Sequence, residues 1–171
     1  NDLAVADRSV ARHRIALGTQ ENGGDITFHP ARQNLLLAGT SGSGKSTLAT
    51  GLLERLSERG YQLCVIDPEG DYENFPQDGP SHAEILTALA NPNNHVVVNL
   101  VGLPLQDRPS FFLTLLPKLQ ELRSKSGRPH WMLVDETHHL LPVDGNPTAP
   151  GLMKDLAGMI YVTVHPDHIE H

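Results

Sequence analysis

Hydrophobic positions along this chain follow two rhythms. Short, nearly unbroken apolar runs occupy residues 34–38, Tyr61–Ile66, His95–Val101, Trp131–Val134 and Met159–Val164. Runs this short, rich in Val, Ile and Leu, predict strands buried on both faces. Between them, apolar residues recur every three or four positions. Leu48, Leu52, Leu53 and Leu56 predict one face of a helix over 45–59, with Glu54, Glu58 and Arg59 outward and Gly60 ending it. Ile85, Leu86 and Leu89 predict a short helix over 82–90. A longer one is expected over 109–126, with Pro109 in its first turn, Pro117 a kink and Gly127 past its end. A last helix is expected at about 150–157. Ahead of all this, His13–Gly18 and Asp25–Phe28 flank the turn signal Glu21-Asn-Gly-Gly24, which predicts a β-hairpin leading into a core strand at 34–38.

Apolar strands alternating with helices imply an α/β fold: a mostly parallel sheet with helices on both faces. The expected organisation is one domain over 1–171, with a lead-in at 1–12, the hairpin at 13–33 and the core at 34–171. Ligand sites in such sheets lie at the carboxyl ends of the strands. The segments 39–46, Asp67–Asp71, Asp135–Glu136 and Thr163–His165 all fall there, so one end of the sheet is expected to collect the chemistry.

Gly39-x-x-x-x-Gly44-Lys45-Ser46 follows a strand and opens a helix, which is the spacing of a phosphate-binding loop. Glycines at 39, 42 and 44 let the backbone curl so that N–H groups face phosphate oxygens. The helix start adds partial positive charge and unpaired N–H groups. Gly39, Thr40, Ser41, Gly42, Ser43, Gly44, Lys45, Ser46 and Thr47 are therefore the expected nucleotide cradle. Lys45 would reach the β- and γ-phosphates of ATP, and the Ser46 hydroxyl would hold Mg2+. The bland alternative is a Gly/Ser-rich turn with a stray lysine.

Asp135 ends the run Trp131–Val134 and has the place of a magnesium-holding aspartate. Glu136 follows, placed to polarise a water in line with the γ-phosphate. Alternatively the pair is an ordinary strand end with a helix-capping acid. Asp67, Glu69 and Asp71 form a second acidic group. Asp67 or Glu69, on a strand expected beside the phosphate loop, could assist magnesium or water, though any turn would use Asp and Gly. The ten histidines give no clear metal-ligand spacing. His138 and His139 are adjacent and would diverge on a helix, and His165-Pro166-Asp167-His168 is the only other local grouping. Surface roles, or roles supporting the site from behind, are the expectation for them, with zinc binding the alternative.

Composition narrows the class. Hydrophobic residues are 39% and charged residues 19% of 171 positions, ordinary for a globular domain. No run approaches the roughly 20 apolar residues needed to cross a bilayer, so no membrane partner is expected. A lone Cys64 cannot form an internal disulfide, which fits a reducing cytoplasm. The net charge of −7 argues against a broad nucleic-acid-binding face. The chain begins at Asn1 and stops just after an apolar run, and is expected to be part of a longer protein.

Three segments in this order, Gly39–Ser46, Ile66-Asp-Pro-Glu-Gly-Asp-Tyr72 and Val134-Asp-Glu-Thr-His-His-Leu-Leu-Pro142, resemble the HerA/FtsK superfamily of P-loop ATPases. The hairpin with Leu17-Gly18-Thr19 is similar to the lead-in of the HerA central domain, and the likeness runs from about residue 14 to 166. It implies an additional-strand, RecA-like core in which one strand separates the phosphate loop from the strand ending at Asp135. It also implies ATP and Mg2+ as ligands, phosphate and metal roles for Lys45, Ser46 and Asp135, and water activation by Glu136. The family typically forms rings, often hexamers, that pump or remodel DNA, with an arginine from the next subunit completing the site. The resemblance also implies, as an expected fused or partner domain, one such as a haloacid-dehalogenase-like phosphatase.

The sequence departs from that pattern. Where members place a glutamine sensor two residues before a proline, Val164 precedes His165-Pro166, leaving Thr163 or His165 as substitutes. The arginine-finger candidates, Arg32, Arg108, Arg123 and Arg128, share no distinguishing motif, and no basic pore loop is evident. The expected function is ATP binding with Mg-dependent hydrolysis, with DNA translocation or remodelling as the coupled process. The alternatives are a nucleotide-gated module with little turnover and a small-molecule P-loop kinase.

Overall fold

A computed structural model describes residues 14–30, 33–72, 77–78, 81–141 and 156–165. The lead-in and the helix expected at 150–157 lie outside these residues, apart from the last two of the latter. Strands β1 (Ile15–Thr19) and β2 (Asp25–Phe28) pair antiparallel across the expected turn, with a register irregularity between Ala16 and Gly18. The chain continues as β3 (Leu35–Ala38), α1 (Lys45–Glu58), β4 (Leu63–Asp67), β5 (Gln77–Asp78), α2 (His82–Ala90), β6 (Val96–Asn99), α3 (Arg108–Ser126), β7 (Trp131–Val134), α4 (Thr137–Leu140) and β8 (Met159–Thr163). A single 3-10 turn, Leu105–Asp107, feeds α3, which runs through Pro117 without a break and ends at Gly127 with a positive φ of 72°.

The second sheet has six parallel strands in the order β3-β8-β7-β4-β6-β5. The last strand in sequence, β8, is inserted between the phosphate-loop strand and the strand that ends at Asp135. This is the additional-strand arrangement that the family resemblance implied. It also corrects one expectation: β4, which carries Asp67, is not beside the phosphate-loop strand but three places away, against β7.

Alternation along each strand builds two cores. Cys64, Ile66, Val96, Val98, Met132, Val134, Met159 and Tyr161 face α2, α3 and α4, packing on Phe112, Leu115, Leu116 and Leu119. The intervening residues Leu63, Val65, Val97, Trp131, Leu133, Ile160 and Val162 face α1 and the hairpin. Period-two alternation thus gives helices on both faces of one sheet. The hairpin is tied in by Ile15 and by Phe28, whose ring meets Trp131 edge-on at 5.7 Å.

Two apolar positions depart from expectation. The buried face of α1 is Ala49, Leu52, Leu53 and Leu56, whereas Leu48 is exposed. One turn into the helix, Leu48 lies a position off the buried stripe. β3 is an edge strand among the described residues, half-buried rather than central, with Leu36 exposed. None of the helices among the described residues is long and apolar enough to cross a membrane.

Candidate functional site

The loop between β3 and α1 has the backbone its glycines allow. Gly42 and Gly44 take φ values of 75° and 89°, which L side chains adopt only with strain. At Gly39 a Cβ would meet Ser43 Oγ at 2.7 Å, so a side chain there would force the exposed Ser43 hydroxyl to move. Gly44 is the N-cap of α1, no side chain caps the helix, and no acid sits in its first turn. The N-terminal N–H groups therefore point at open space with their positive potential uncancelled. The Lys45 ammonium donates to the Thr40 carbonyl at 3.1 Å, folding the lysine over its own loop. Thr40, Ser41, Ser43, Ser46 and Thr47 are exposed around it. Gly39 N–H donates to the Thr163 carbonyl, which fixes the loop entrance to the tip of β8.

At the tip of β7, Asp135 is buried, and among the described residues its Oδ1 accepts the Glu136 N–H at 2.8 Å, with the Tyr72 hydroxyl close by. Burial, with the neighbouring Glu136 charge adding to it, pushes the Asp135 carboxyl up to about 6. Glu136 has φ 42°, alone among the described non-glycine residues in the left-handed region, a conformation that costs about 1 kcal/mol or more. That turn aims its carboxylate back at the site. Burial and Glu69 raise the Glu136 pKa, while Lys45 and His139 oppose the rise. The structure therefore brings Lys45, Glu69 and Glu136 into one electrostatic neighbourhood, although Lys45 starts α1 and Glu136 follows a strand two places from β3. His138 Nδ1 lies 3.2 Å from Glu136 Oε2 and 3.3 Å from Thr163 Oγ1. The Thr163 hydroxyl in turn accepts the His165 N–H at 3.0 Å.

Asp67 is placed differently. It is fully buried, and its carboxylate accepts the N–H groups of Gly70 at 2.7 Å, Asp71 at 3.2 Å and Tyr72 at 3.1 Å. These bonds close a tight turn, and Gly70, with φ 87°, has a would-be Cβ 3.2 Å from Val101. The turn delivers Tyr72 into the interior beside Asp135. There the phenol is pushed up by burial first and by Asp135 second, yet its hydroxyl finds no aligned hydrogen-bond partner among the described residues. Tyr72 lies within a family motif but had no expected task, and His138 was expected only in a surface or supporting role. The signal for Tyr72 was its place at the end of the Asp-Pro-Glu-Gly-Asp segment.

Three of the four arginine candidates are committed to the chain itself. Arg108 donates to the carbonyls of Leu103, Pro68 and, at longer range, Val101. Arg123 donates to the His130 carbonyl and Arg128 to that of Pro92. Arg32 lies outside the described residues, as do Pro166, Asp167 and His168.

A parallel sheet with an inserted strand, a phosphate-type loop and an acidic strand tip define a P-loop NTPase of the additional-strand type. A family model of the helicase HerA central domain matches residues 31–126, more than half of the chain, and the protein belongs to that family. No curated protein sequence matches it. Among solved structures, the genome packaging NTPase B204 from Sulfolobus turreted icosahedral virus 2, in complex with ATP-gammaS, is 19% identical with a TM-score of 0.62. That alignment covers 80% of this chain and 66% of the NTPase, so the chain spans just under two thirds of its length. VirB4 of Thermoanaerobacter pseudethanolicus is 12% identical with a TM-score of 0.61, over 88% of this chain and 76% of VirB4. The pCW3 conjugation coupling protein TcpA, with ATPgS, is 17% identical with a TM-score of 0.50, over 90% and 48%. At these identities the likeness is one of fold.

Proposed function

We propose that this chain binds ATP with Mg2+ at the loop 39–47 and hydrolyses it, using Glu136 as the base that activates water. The observation that carries the reading is the meeting of Lys45 and Glu136 charges across the inserted β8. A phosphate-binding cation and a carboxylate whose pKa burial raises thereby act on one another across the strand tips. The backbone N–H groups of the loop and α1 bind the phosphates, and Lys45 exchanges the Thr40 carbonyl for β- and γ-phosphate oxygens. In the step itself, a water oxygen bonds to the γ-phosphorus as its proton passes to Glu136, and the bond to the β–γ bridging oxygen breaks with ADP taking the electron pair. The donor set suits a hard cation: the Ser46 hydroxyl and the Asp135 carboxylate are oxygen donors, and the Tyr72 hydroxyl beside Asp135, without an aligned partner among the described residues, could hydrogen-bond a metal-bound water. Bound there, magnesium would neutralise charge developing on the phosphates. Asp67 is assigned the turn, and Glu69 an electrostatic influence on Glu136.

The test is a pair of substitutions. Glu136→Gln should lower turnover by about 10²-fold or more while leaving ATP affinity nearly unchanged. Lys45→Ala should remove ATP binding itself. Full turnover in the first, or unchanged affinity in the second, rejects the assignment.

Coupling to DNA is the process to examine first, since the similar folds include a genome packaging NTPase and a conjugation coupling protein. Assembly into a ring goes with it. Arg108, Arg123 and Arg128 are all held by backbone carbonyls, so any of them serving as a transition-state arginine, in its own site or in that of a neighbouring copy, would first have to give up those bonds. Light scattering in ATP, and turnover with and without DNA, test both. The same engaged arginines weigh against a kinase, which needs arginines free to close over the phosphates. One observation favours a second reading, a nucleotide-gated module with slow turnover. The tip of β8 presents Thr163, hydrogen-bonded to His138 and the His165 N–H, in place of a free glutamine. Measurable ATP binding with negligible phosphate release would select it.

A further inference from the structure

Three donors converge beside the proposed catalytic centre, although their order in the chain predicted divergence. One ligand atom each from Glu136, His138 and His139 all lie within 4.8 Å of one another. We propose that these three side chains form a binding site for a borderline transition-metal cation of the Zn2+ class, and that filling it switches off hydrolysis by occupying the Glu136 carboxylate. The second half rests on the role of Glu136 proposed above; the metal site itself does not.

The donor set selects the metal. Imidazole nitrogens suit zinc, nickel and copper, whereas magnesium prefers oxygen ligands, so this site does not compete for the ion expected at Ser46 and Asp135. The spacing fits as well. Zinc bonds to nitrogen and oxygen of about 2.0–2.1 Å at tetrahedral angles place neighbouring ligand atoms about 3.4 Å apart. His138 Nδ1 and Glu136 Oε2 already stand at 3.2 Å. The exposed His139 ring, 4.1 Å from that of His138 between centroids, needs only side-chain rotation to complete the third edge.

The backbone holds the set in place. The left-handed turn at Glu136 brings its carboxylate back over α4. Thr137, buried, donates its hydroxyl to the Val134 carbonyl at 2.9 Å, and Leu140 is buried beneath the same turn. The His165 ring packs edge-on to His138 at 5.1 Å, backing it from the β8 side. Glu69 and Asp71 add negative potential around Glu136, which favours cation entry. Three protein ligands leave a fourth position for water.

The experiment titrates zinc chloride into the untagged protein against a chromophoric chelator, then measures ATPase turnover at saturating Mg2+ over the same zinc range. One equivalent should bind to the wild type. His139→Ala and Glu136→Gln should each weaken that equivalent by about tenfold or more, as expected when three ligands become two. His139→Cys should restore it, and His82→Ala should leave it unchanged. Inhibition of turnover should follow site occupancy in the wild type and shift to correspondingly higher zinc in His139→Ala. His139 is exposed, so its variants are expected to fold, and circular dichroism is to check every variant for native secondary structure. Zinc affinity that ignores both His139→Ala and Glu136→Gln overturns the site. Site-dependent binding without inhibition overturns the switch. A protein with no turnover at all would fail the hydrolysis reading, and the chelator titration would still decide the metal site.

Discussion

The strands β4 and β7 lie side by side and each ends in a buried aspartate, yet the two tips are built for opposite purposes. At the β4 tip, Asp67 is saturated: three backbone N–H groups converge on its two oxygens. At the β7 tip, Asp135 receives one such bond, is pushed up to about 6 chiefly by burial, and sits beside a phenol with no aligned partner among the described residues. Fold energetics favour the first arrangement and disfavour the second. A buried carboxylate with unspent acceptor capacity is costly, and it persists where a ligand completes it. The contrast separates a carboxylate spent on holding a turn from one left with acceptor capacity, without reference to motif.

That contrast is open to direct test, and the largest effect is expected at the saturated tip. Asp67→Asn replaces one acceptor oxygen with an NH2 group facing backbone donors, leaving at least one buried N–H unsatisfied. Charge-assisted bonds of this kind contribute roughly 1.5–3 kcal/mol each, so the loss in urea unfolding at pH 7 should be about 3 kcal/mol. A loss below about 1 kcal/mol would mean the turn is held by something other than these bonds.

At the other tip the sign reverses. In metal-free protein, a carboxyl whose folded pKa rises to about 6 makes the folded state bind more protons than the unfolded one between about pH 4 and 6. The penalty is absent below the unfolded value, grows through that window, and is complete above pH 6. Asp135→Asn removes the charge, so it should stabilise the metal-free protein by on the order of 2 kcal/mol at pH 8 and by almost nothing at pH 4. Chemical unfolding at both pH values in chelator reads this. An equal effect at the two would place the pKa shift elsewhere. The same variant should lose Mg-dependent turnover, the converse of its gain in stability.

How much of this was readable beforehand follows from where each feature is encoded. Trp131–Val134 and His82–Ala90 form over the expected residues because apolar periodicity and bounding residues are local. The glycine positions of the phosphate loop were legible for the same reason. Strand order was not in the pattern; only the family resemblance supplied the inserted strand, and Asp67 was accordingly set beside the wrong neighbour. The edge position of β3 and the exposure of Leu36 and Leu48 likewise depend on which elements arrive to cover them. The meeting of Glu136, His138 and His139 was invisible because it depends on a left-handed residue that no composition rule anticipates at glutamate. The arginines were ambiguous in sequence because only tertiary contacts reveal that carbonyls of Leu103, Pro68, His130 and Pro92 hold them.

The smallest effect is expected at the residue that links the two tips. Tyr72 gives its backbone N–H to Asp67 and sends its side chain to Asp135. Its burial raises the phenol pKa, so the hydroxyl stays protonated through the accessible pH range. A tyrosine hydroxyl bonded within a folded protein typically contributes about 1 kcal/mol, whereas an unpartnered one contributes nothing and carries a desolvation cost. Tyr72→Phe keeps the ring and the Asp67 turn and deletes only that oxygen. Metal-free stability should therefore stay within about 0.5 kcal/mol of wild type or rise slightly. A loss of about 1 kcal/mol or more would show that the hydroxyl donates to Asp135 in the metal-free protein. The β7 carboxylate would then be better satisfied than its geometry indicates, and the difference between the two tips would narrow to one of degree.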